Sequence, residues 1–144
     1  MVKVGIVESS QYKECAIIQC DEAFVLPVNQ RSNYRELFEK IDRNAIFVVA
    51  EEEEILGYAA MYCNDMERLE AYITLIAVRP EARGKQIGTR ILSMCENIAI
   101  QKGMKTIRLE VSKMNSKAIA FYQKNGFEDI KQQGEESIYM RKIL

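Results

Sequence analysis

Histidine is absent from the 144 residues, and that absence removes whole classes of chemistry. No Ser-His-Asp triad, Cys-His pair or His-ligated metal site can be built within the chain. Proton transfer is left to Asp, Glu, Tyr, Lys, Cys, a terminal amine or water. The four cysteines, Cys15, Cys20, Cys63 and Cys95, form no CxxC. A zinc site would need all four thiolates from distant elements, so they read as buried, reduced thiols of a cytoplasmic protein, with no metal. Neither sign of charge is in excess: 20 Lys plus Arg stand against 21 Asp plus Glu, a net charge of −1. This argues against a broad electrostatic grip on nucleic acid. No apolar run approaches the ~18 residues of a membrane span. Met1 to Ser10 has no basic segment followed by an apolar run, so no signal peptide is expected.

Proline occurs only twice, as Pro27 and Pro80, each marking a boundary. With 48% apolar and 28% charged residues, the chain has the balance of a soluble fold, read as one domain over residues 1–144. A chain of this mass buries about two-thirds of its unfolded surface.

Val2, Val4, Ile6 and Val7 predict a first strand. Ser9 or Ser10 caps a helix running to about Phe24, and Phe24 to Val28 reads as an extended connection. Ser32 is expected to cap a second helix carrying Leu37, Phe38 and Ile41 on one face. Ala45–Ala50 and Ile55–Cys63 read as a hairpin around the solvated turn Glu51–Glu54, and Glu70–Val78 as a third antiparallel strand. Ile87, Ile91, Leu92, Cys95, Ile98 and Ala99 recur at helical spacing, predicting a helix over 86–102 that stops at Gly103. Thr106–Val111 is then a strand parallel to its predecessor across that helix. Ser116–Lys124 is a shorter helix, and Phe127–Lys131 with Ser137–Met140 a closing hairpin. The order βααβββαβαββ describes a mixed α/β sheet, an antiparallel meander leading into a parallel βαβ centre.

Two segments carry chemistry. In Arg79-Pro80-Glu81-Ala82-Arg83-Gly84-Lys85-Gln86-Ile87-Gly88-Thr89 a strand ends, a basic glycine loop follows and a helix begins. The first amides of a helix lack partners and sit at the positive end of its dipole, which suits a phosphate or pyrophosphate. The loop is spelled neither GxxxxGK[ST] nor GxGxxG, so the P-loop and dinucleotide fingerprints do not apply; a plain strand–helix turn is the other reading. The second segment is Glu110, Asn115, Ala118, Tyr122 and Gly126-Phe127, where Asn115 can cap the helix that carries Tyr122. Ile107, Leu109 and Val111 take one face of the preceding strand, and Thr106, Arg108 and Glu110 the other.

Together these motifs resemble the GNAT superfamily of acetyl-CoA-dependent N-acetyltransferases. The likeness extends over nearly the whole chain and is most specific from Tyr72 to Phe127. The family's Arg/Gln-x-x-Gly-x-Gly/Ala reads Arg83-Gly84-Lys85-Gln86-Ile87-Gly88 here, with Gln86 in place of the first motif glycine.

The resemblance implies a third meander strand that bulges and splays from the next parallel strand, leaving a gap for the pantetheine arm. Ile76, Ala77 and Val78 are then expected to offer backbone hydrogen bonds, with an amide near Ala77 as oxyanion donor. The amides of Arg83, Gly84, Lys85, Gln86, Ile87, Gly88 and Thr89 are expected to hold the pyrophosphate, and Asn115 to contact the coenzyme. Tyr122 is the implied acid for the leaving thiolate. Glu110, twelve residues earlier, is the implied base, with a relayed water as the alternative; a solvated strand-end glutamate is its ordinary reading. The acceptor cleft is expected to use Phe24, Asn29, Arg31, Tyr34, Tyr62, Asn64, Asp65 and Tyr72. The expected reaction is direct acetyl transfer to the primary amine of a small molecule, an amino sugar among the candidates, by a monomer or homodimer that uses no metal, nucleic acid or membrane. A protein N-terminal acetyltransferase and a non-catalytic acyl-CoA-binding module are the competing readings.

Overall fold

The computed structural model describes every residue except Val25, and Gln133 by its backbone only. Seven strands form: β1 (Lys3–Ile6), β2 (Ile46–Glu52), β3 (Glu54–Tyr62), β4 (Glu70–Val78), β5 (Thr106–Ser112), β6 (Glu128–Gln133) and β7 (Ser137–Ile143). The helices are α1 (Ser10–Gln19), α2 (Tyr34–Asn44), α3 (Ile87–Gln101) and α4 (Ser116–Lys124). They occur in the order βααβββαβαββ read from the sequence. The strands lie in one sheet, β1-β2-β3-β4-β5-β7-β6, in which only β4 and β5 run parallel.

Each face of the sheet buries its own core. On one face α3 and α4 cover Val48, Ala50, Ala59, Met61, Ala71, Ile73, Ile107, Leu109, Val111 and Met140. On the other, α1 and α2 cover Phe47, Val49, Tyr58, Ala60, Leu75 and Ala77. The buried stripe of α3 is Ile87, Ile91, Leu92, Cys95, Ile98 and Ala99, the set its periodicity predicts. It stops at Gly103, whose φ of +84° lets Gly103 and Met104 donate back to Ile100 and Ala99 and satisfy end carbonyls.

Three local expectations are corrected. The first helix ends at Gln19 rather than Phe24; Asp21–Ala23 forms a separate 3-10 turn. There the Asp21 carboxylate accepts the Val28 N–H at 3.1 Å, which pins the connection in place of another helical turn. Ser32 does not cap α2, because the Tyr34 N–H bonds to the Arg31 carbonyl at 3.0 Å and Asn33 takes the cap position. Cys20 and Cys95 are buried, whereas Cys15 and Cys63 are only half-buried; all four are free. Val25, within the expected extended connection, lies outside the described residues. Among the described residues no helix is long and apolar enough to cross a membrane.

Candidate active site

The site begins with a mismatch between two strands. β4 pairs with β5 only from Glu70–Thr106 to Ile73–Leu109. At that point the β3–β4 register skips from Met61–Ile73 to Ala60–Leu75, so Thr74 is an extra residue. A strand's side chains alternate with period two, so one inserted residue exchanges its faces. Ala71 and Ile73 point into the α3 core, but Leu75 and Ala77 point into the α1–α2 core. Beyond Thr74, β4 is therefore out of phase with β5 and the two part.

The backbone exposed in that gap follows from the ladder. The Arg79 N–H donates to the Leu56 carbonyl at 2.8 Å, which sets the phase of the antiparallel alternation. Leu75 and Ala77 consequently bond to β3, while Ile76 and Val78 turn their N–H and C=O groups toward β5. The backbone groups of Ala77 itself are thus taken up by β3.

At the end of β4, Pro80–Ala82 makes a single 3-10 turn, Gly84 takes φ +84°, and Gln86 caps α3 in the left-handed region at φ +64°. Among the described residues none accepts a hydrogen bond from the amides of Gly84 to Thr89. Arg83 and Lys85 are exposed beside them, whereas Ile87 buries its side chain and contributes only its amide. The loop thus keeps unpaired donors at a helix N-terminus, with cations at its rim. Gly88 has a packing role as well, since a Cβ there would lie 2.9 Å from the Phe121 ring, so α3 and α4 approach closely.

Asn115 caps α4, accepting the Ala118 N–H at 3.1 Å. Tyr122, near the end of α4, is 8% exposed and packs edge-on between Phe121 and Phe127, at 5.5 and 5.8 Å. Burial pushes its phenol well above the usual value near 10, so it stays protonated. Among the described residues no hydrogen bond is made by its hydroxyl. Glu110 is exposed on the opposite face of β5, where the Ser137 hydroxyl donates to its carboxylate. Glu110 thus lies on the face of β5 opposite the core that buries Tyr122, one residue past the last β4–β5 pair.

The expected acceptor residues divide into two groups. Tyr62, Asn64, Asp65 and Tyr72 line one hollow of about 330 Å³. Phe24 and Tyr34, with Asn29 and Arg31, lie outside it: Arg31 stacks on Phe24 at 5.2 Å, and Tyr34 donates to Glu14. Lys40, Arg68, Glu70 and Arg108 complete the lining and were missed. The signal for Arg108 was available, because it shares the Thr106–Arg108–Glu110 strand face.

The Glu70 carboxyl would be raised by burial, but bonds from Arg141 at 2.6 Å and Thr106 at 2.8 Å hold it below its usual range. Burial raises the Tyr72 phenol, and the nearby Glu110 charge adds to the shift.

A mixed sheet whose central parallel strands part over a helix N-terminal loop defines the acyl-CoA N-acyltransferase class of fold. The family model described as "Acetyltransferase (GNAT) family" matches residues 14–127, and the chain belongs to that family. It is 33% identical to an uncharacterized N-acetyltransferase of Methanocaldococcus jannaschii over 62% of this chain and 42% of that one. It is 32% identical to the uncharacterized N-acetyltransferase YhfO of Bacillus subtilis over 61% of this chain and 62% of that one. The alignments thus span less than two-thirds of these relatives' own lengths. A spermidine N(1)-acetyltransferase of Thermoplasma acidophilum is 35% identical over 55% of this chain and 46% of that one.

Among solved structures, the PaiA N-acetyltransferase of Thermoplasma acidophilum in complex with coenzyme A superposes with a TM-score of 0.82 at 22% identity, covering 100% of this chain and 99% of that one. The ribosomal-protein-S18-alanine N-acetyltransferase of Escherichia coli gives 0.81 at 18%, covering 99% and 94%. At these identities the likeness is one of fold.

Proposed function

We propose that this chain, as a single domain acting in the cytoplasm, transfers an acetyl group from acetyl-CoA directly to the primary amine of a small molecule, an amino sugar being one candidate. The observation that carries this reading is the parting of β4 from β5 after Ile73 and Leu109, which leaves Ile76 and Val78 with free backbone groups along a gap ending at the unpaired amides of α3. A pantetheine arm bonds like an added strand at such an edge, and a pyrophosphate suits such a helix start.

Acetyl-CoA supplies the activated acyl group as a thioester; the residues supply proton and charge management. Glu110 accepts the proton of the attacking amine, directly or through water. The N–H of Ile76 or Val78 donates to the developing oxyanion. Tyr122 donates its proton to the departing thiolate sulfur. The Asn115 side chain holds the start of α4, and through it the placement of Tyr122. No covalent enzyme intermediate is needed, so a chain without histidine can carry the reaction.

The test is turnover of purified protein with acetyl-CoA against amines, amino sugars and peptides, read as release of free thiol. Turnover only on peptide N-termini favours a protein N-terminal acetyltransferase, a reading supported by the twelve-residue spacing of Glu110 and Tyr122. Tight acetyl-CoA binding without turnover on any amine identifies a non-catalytic acyl-CoA-binding module.

A further inference from the structure

Arg108 lines the hollow beside the parting strands. It lies on β5 directly across from Tyr72 on β4, one pair before the strands part and two residues before Glu110. Its guanidinium carbon is 5.5 Å from the Tyr72 ring centre and 4.3 Å from that of Tyr139, so two aromatic faces hold the plane. Among the described residues its buried Nε has no hydrogen-bond partner, and Arg108 makes no ion pair. Burying one nitrogen of a half-buried guanidinium without a partner costs free energy that a well-adapted fold ordinarily avoids.

Among the described residues no neighbouring carboxylate is within ion-pair distance of it, and Glu110, next on the same strand face, accepts from Ser137. Glu70 is taken by Arg141 and Thr106. Asp65 accepts the Arg68 N–H at 3.0 Å, which ties it to its own turn. Lys40 lies over the Tyr62 ring at 5.2 Å. The hollow thus has three cations, Lys40, Arg68 and Arg108, against two acids already engaged. Such a lining repels a polycation and attracts an anion. With Nε enclosed, the two terminal nitrogens remain, and their spacing matches the two oxygens of a carboxylate. Successive same-face residues lie roughly 7 Å apart along a strand, so an anion held by Arg108 sits one small molecule's length from Glu110.

We propose that the acceptor amine also carries a carboxylate, and that Arg108 binds it end-on and aims the amine at Glu110. This rests on the acetyl-transfer reading above. Arg108 is a specificity-determining residue that acts on the acceptor's non-reacting end.

The experiment pairs each of five amino acids (alanine, β-alanine, γ-aminobutyrate, ornithine and lysine) with its carboxamide, and adds phosphoethanolamine. Acetylation by the full chain should favour at least one acid over its amide by more than about tenfold in kcat/KM, the scale of one buried charge-assisted pair. That acid-to-amide ratio should collapse toward one in Arg108→Gln and fall part-way in Arg108→Lys, which keeps the charge but not the fork. A merely structural arginine would lower both rates without moving the ratio.

Equal rates on acid and amide overturn the proposal, as does a preference for phosphoethanolamine over every carboxylate. Thermal-shift titration of the same compounds in the presence of coenzyme A separates the two readings. Acid-selective binding lost in Arg108→Gln, with no turnover, supports the carboxylate site and refutes acetyl transfer. Amide turnover without acid selectivity does the reverse, and neither binding nor turnover of any acid refutes the carboxylate site.

Discussion

Replacing Gln86 by glycine should stabilise the protein, although Gln86 lies in the loop assigned to the coenzyme. Gln86 holds φ +64° and ψ +18°, and its side chain makes no capping hydrogen bond. It is exposed, so truncation removes no buried packing. An L-residue in this region is disfavoured by about 1–2 kcal/mol, because its Cβ crowds the carbonyl oxygen. Glycine escapes that cost but loses about 0.5–1 kcal/mol through its freer unfolded chain. The net gain centres on about 0.75 kcal/mol, or about 2–3 °C in Tm for a chain of this size. Thermal melts of the parent, Gln86→Gly and Gln86→Ala measure it. Alanine keeps the Cβ and should gain at most a few tenths of a kcal/mol. The reasoning fails if glycine melts at or below the parent, or if alanine gains as much as glycine. The loop amides are unchanged by the substitution, so the acetyl-CoA KM should not rise.

Tyr122→Phe leaves the ring packed against Phe121 and Phe127 and removes a hydroxyl that has no partner among the described residues. It should lower kcat about 10²-fold with little change in Tm; an unchanged rate takes Tyr122 out of the mechanism. Glu110→Gln keeps an acceptor for Ser137 and should lower kcat/KM by roughly 10²-fold; an unchanged rate puts the base elsewhere. Asp42 accepts from Ser10 at 2.7 Å and pairs with the buried Lys13 at 3.0 Å. The Ser10 hydrogen bond first, and Lys13 second, lower its carboxyl pKa in the fold. The stability it contributes is therefore complete above the unfolded value of ~3.9 and lost as pH falls through the lower folded value. Asp42→Asn removes the charge that partners the buried Lys13 but leaves it the Asp42 carbonyl at 3.2 Å, and should cost about 1–3 kcal/mol. Denaturant melts should show the gap between parent and variant narrowing below about pH 4.

The element order was legible because each segment's pattern is local. Alternating Ile107, Leu109 and Val111 make a strand, and Ile87 to Ala99 recur at helical spacing. The end of α1 was not legible, since the contact that replaces its last turn, Asp21 to the Val28 amide, joins residues whose approach no local pattern records. The same limit applies to the hollow beside Tyr62 and Tyr72. Tyr62 and Tyr72 were found by their places on expected strands, but Arg108 and Glu70 became lining only through the β4–β5 register. Phe24 and Tyr34 were aromatic residues in the right connection whose partners, Arg31 and Glu14, hold them elsewhere. The α3 loop was legible as a loop, yet the left-handed turn at Gln86 was hidden because glutamine does not advertise it.

Thr74 links the fold to the proposed activity, and deleting it separates the two. Met61–Ile73 and Ala60–Leu75 would become consecutive pairs in a regular ladder. Ile73 already faces the α3 core and Leu75 the opposite one, so every flanking side chain keeps its present face. β4 also comes into phase with β5: Leu75 would sit across from Glu110 and Ile76 across from Val111, each with a same-face partner. The strands can then continue pairing, and Ile76 and Val78 spend their free backbone groups on β5. The shortened protein should remain folded, with far-UV circular dichroism and cooperative melting like the parent's. Its acetyl-CoA affinity should fall by roughly 5–150-fold, the value of about two lost backbone hydrogen bonds at 1–3 kcal/mol together. Isothermal titration of both proteins with acetyl-CoA decides the matter. A folded deletion variant that binds acetyl-CoA as tightly as the parent would show that the gap does not receive the coenzyme.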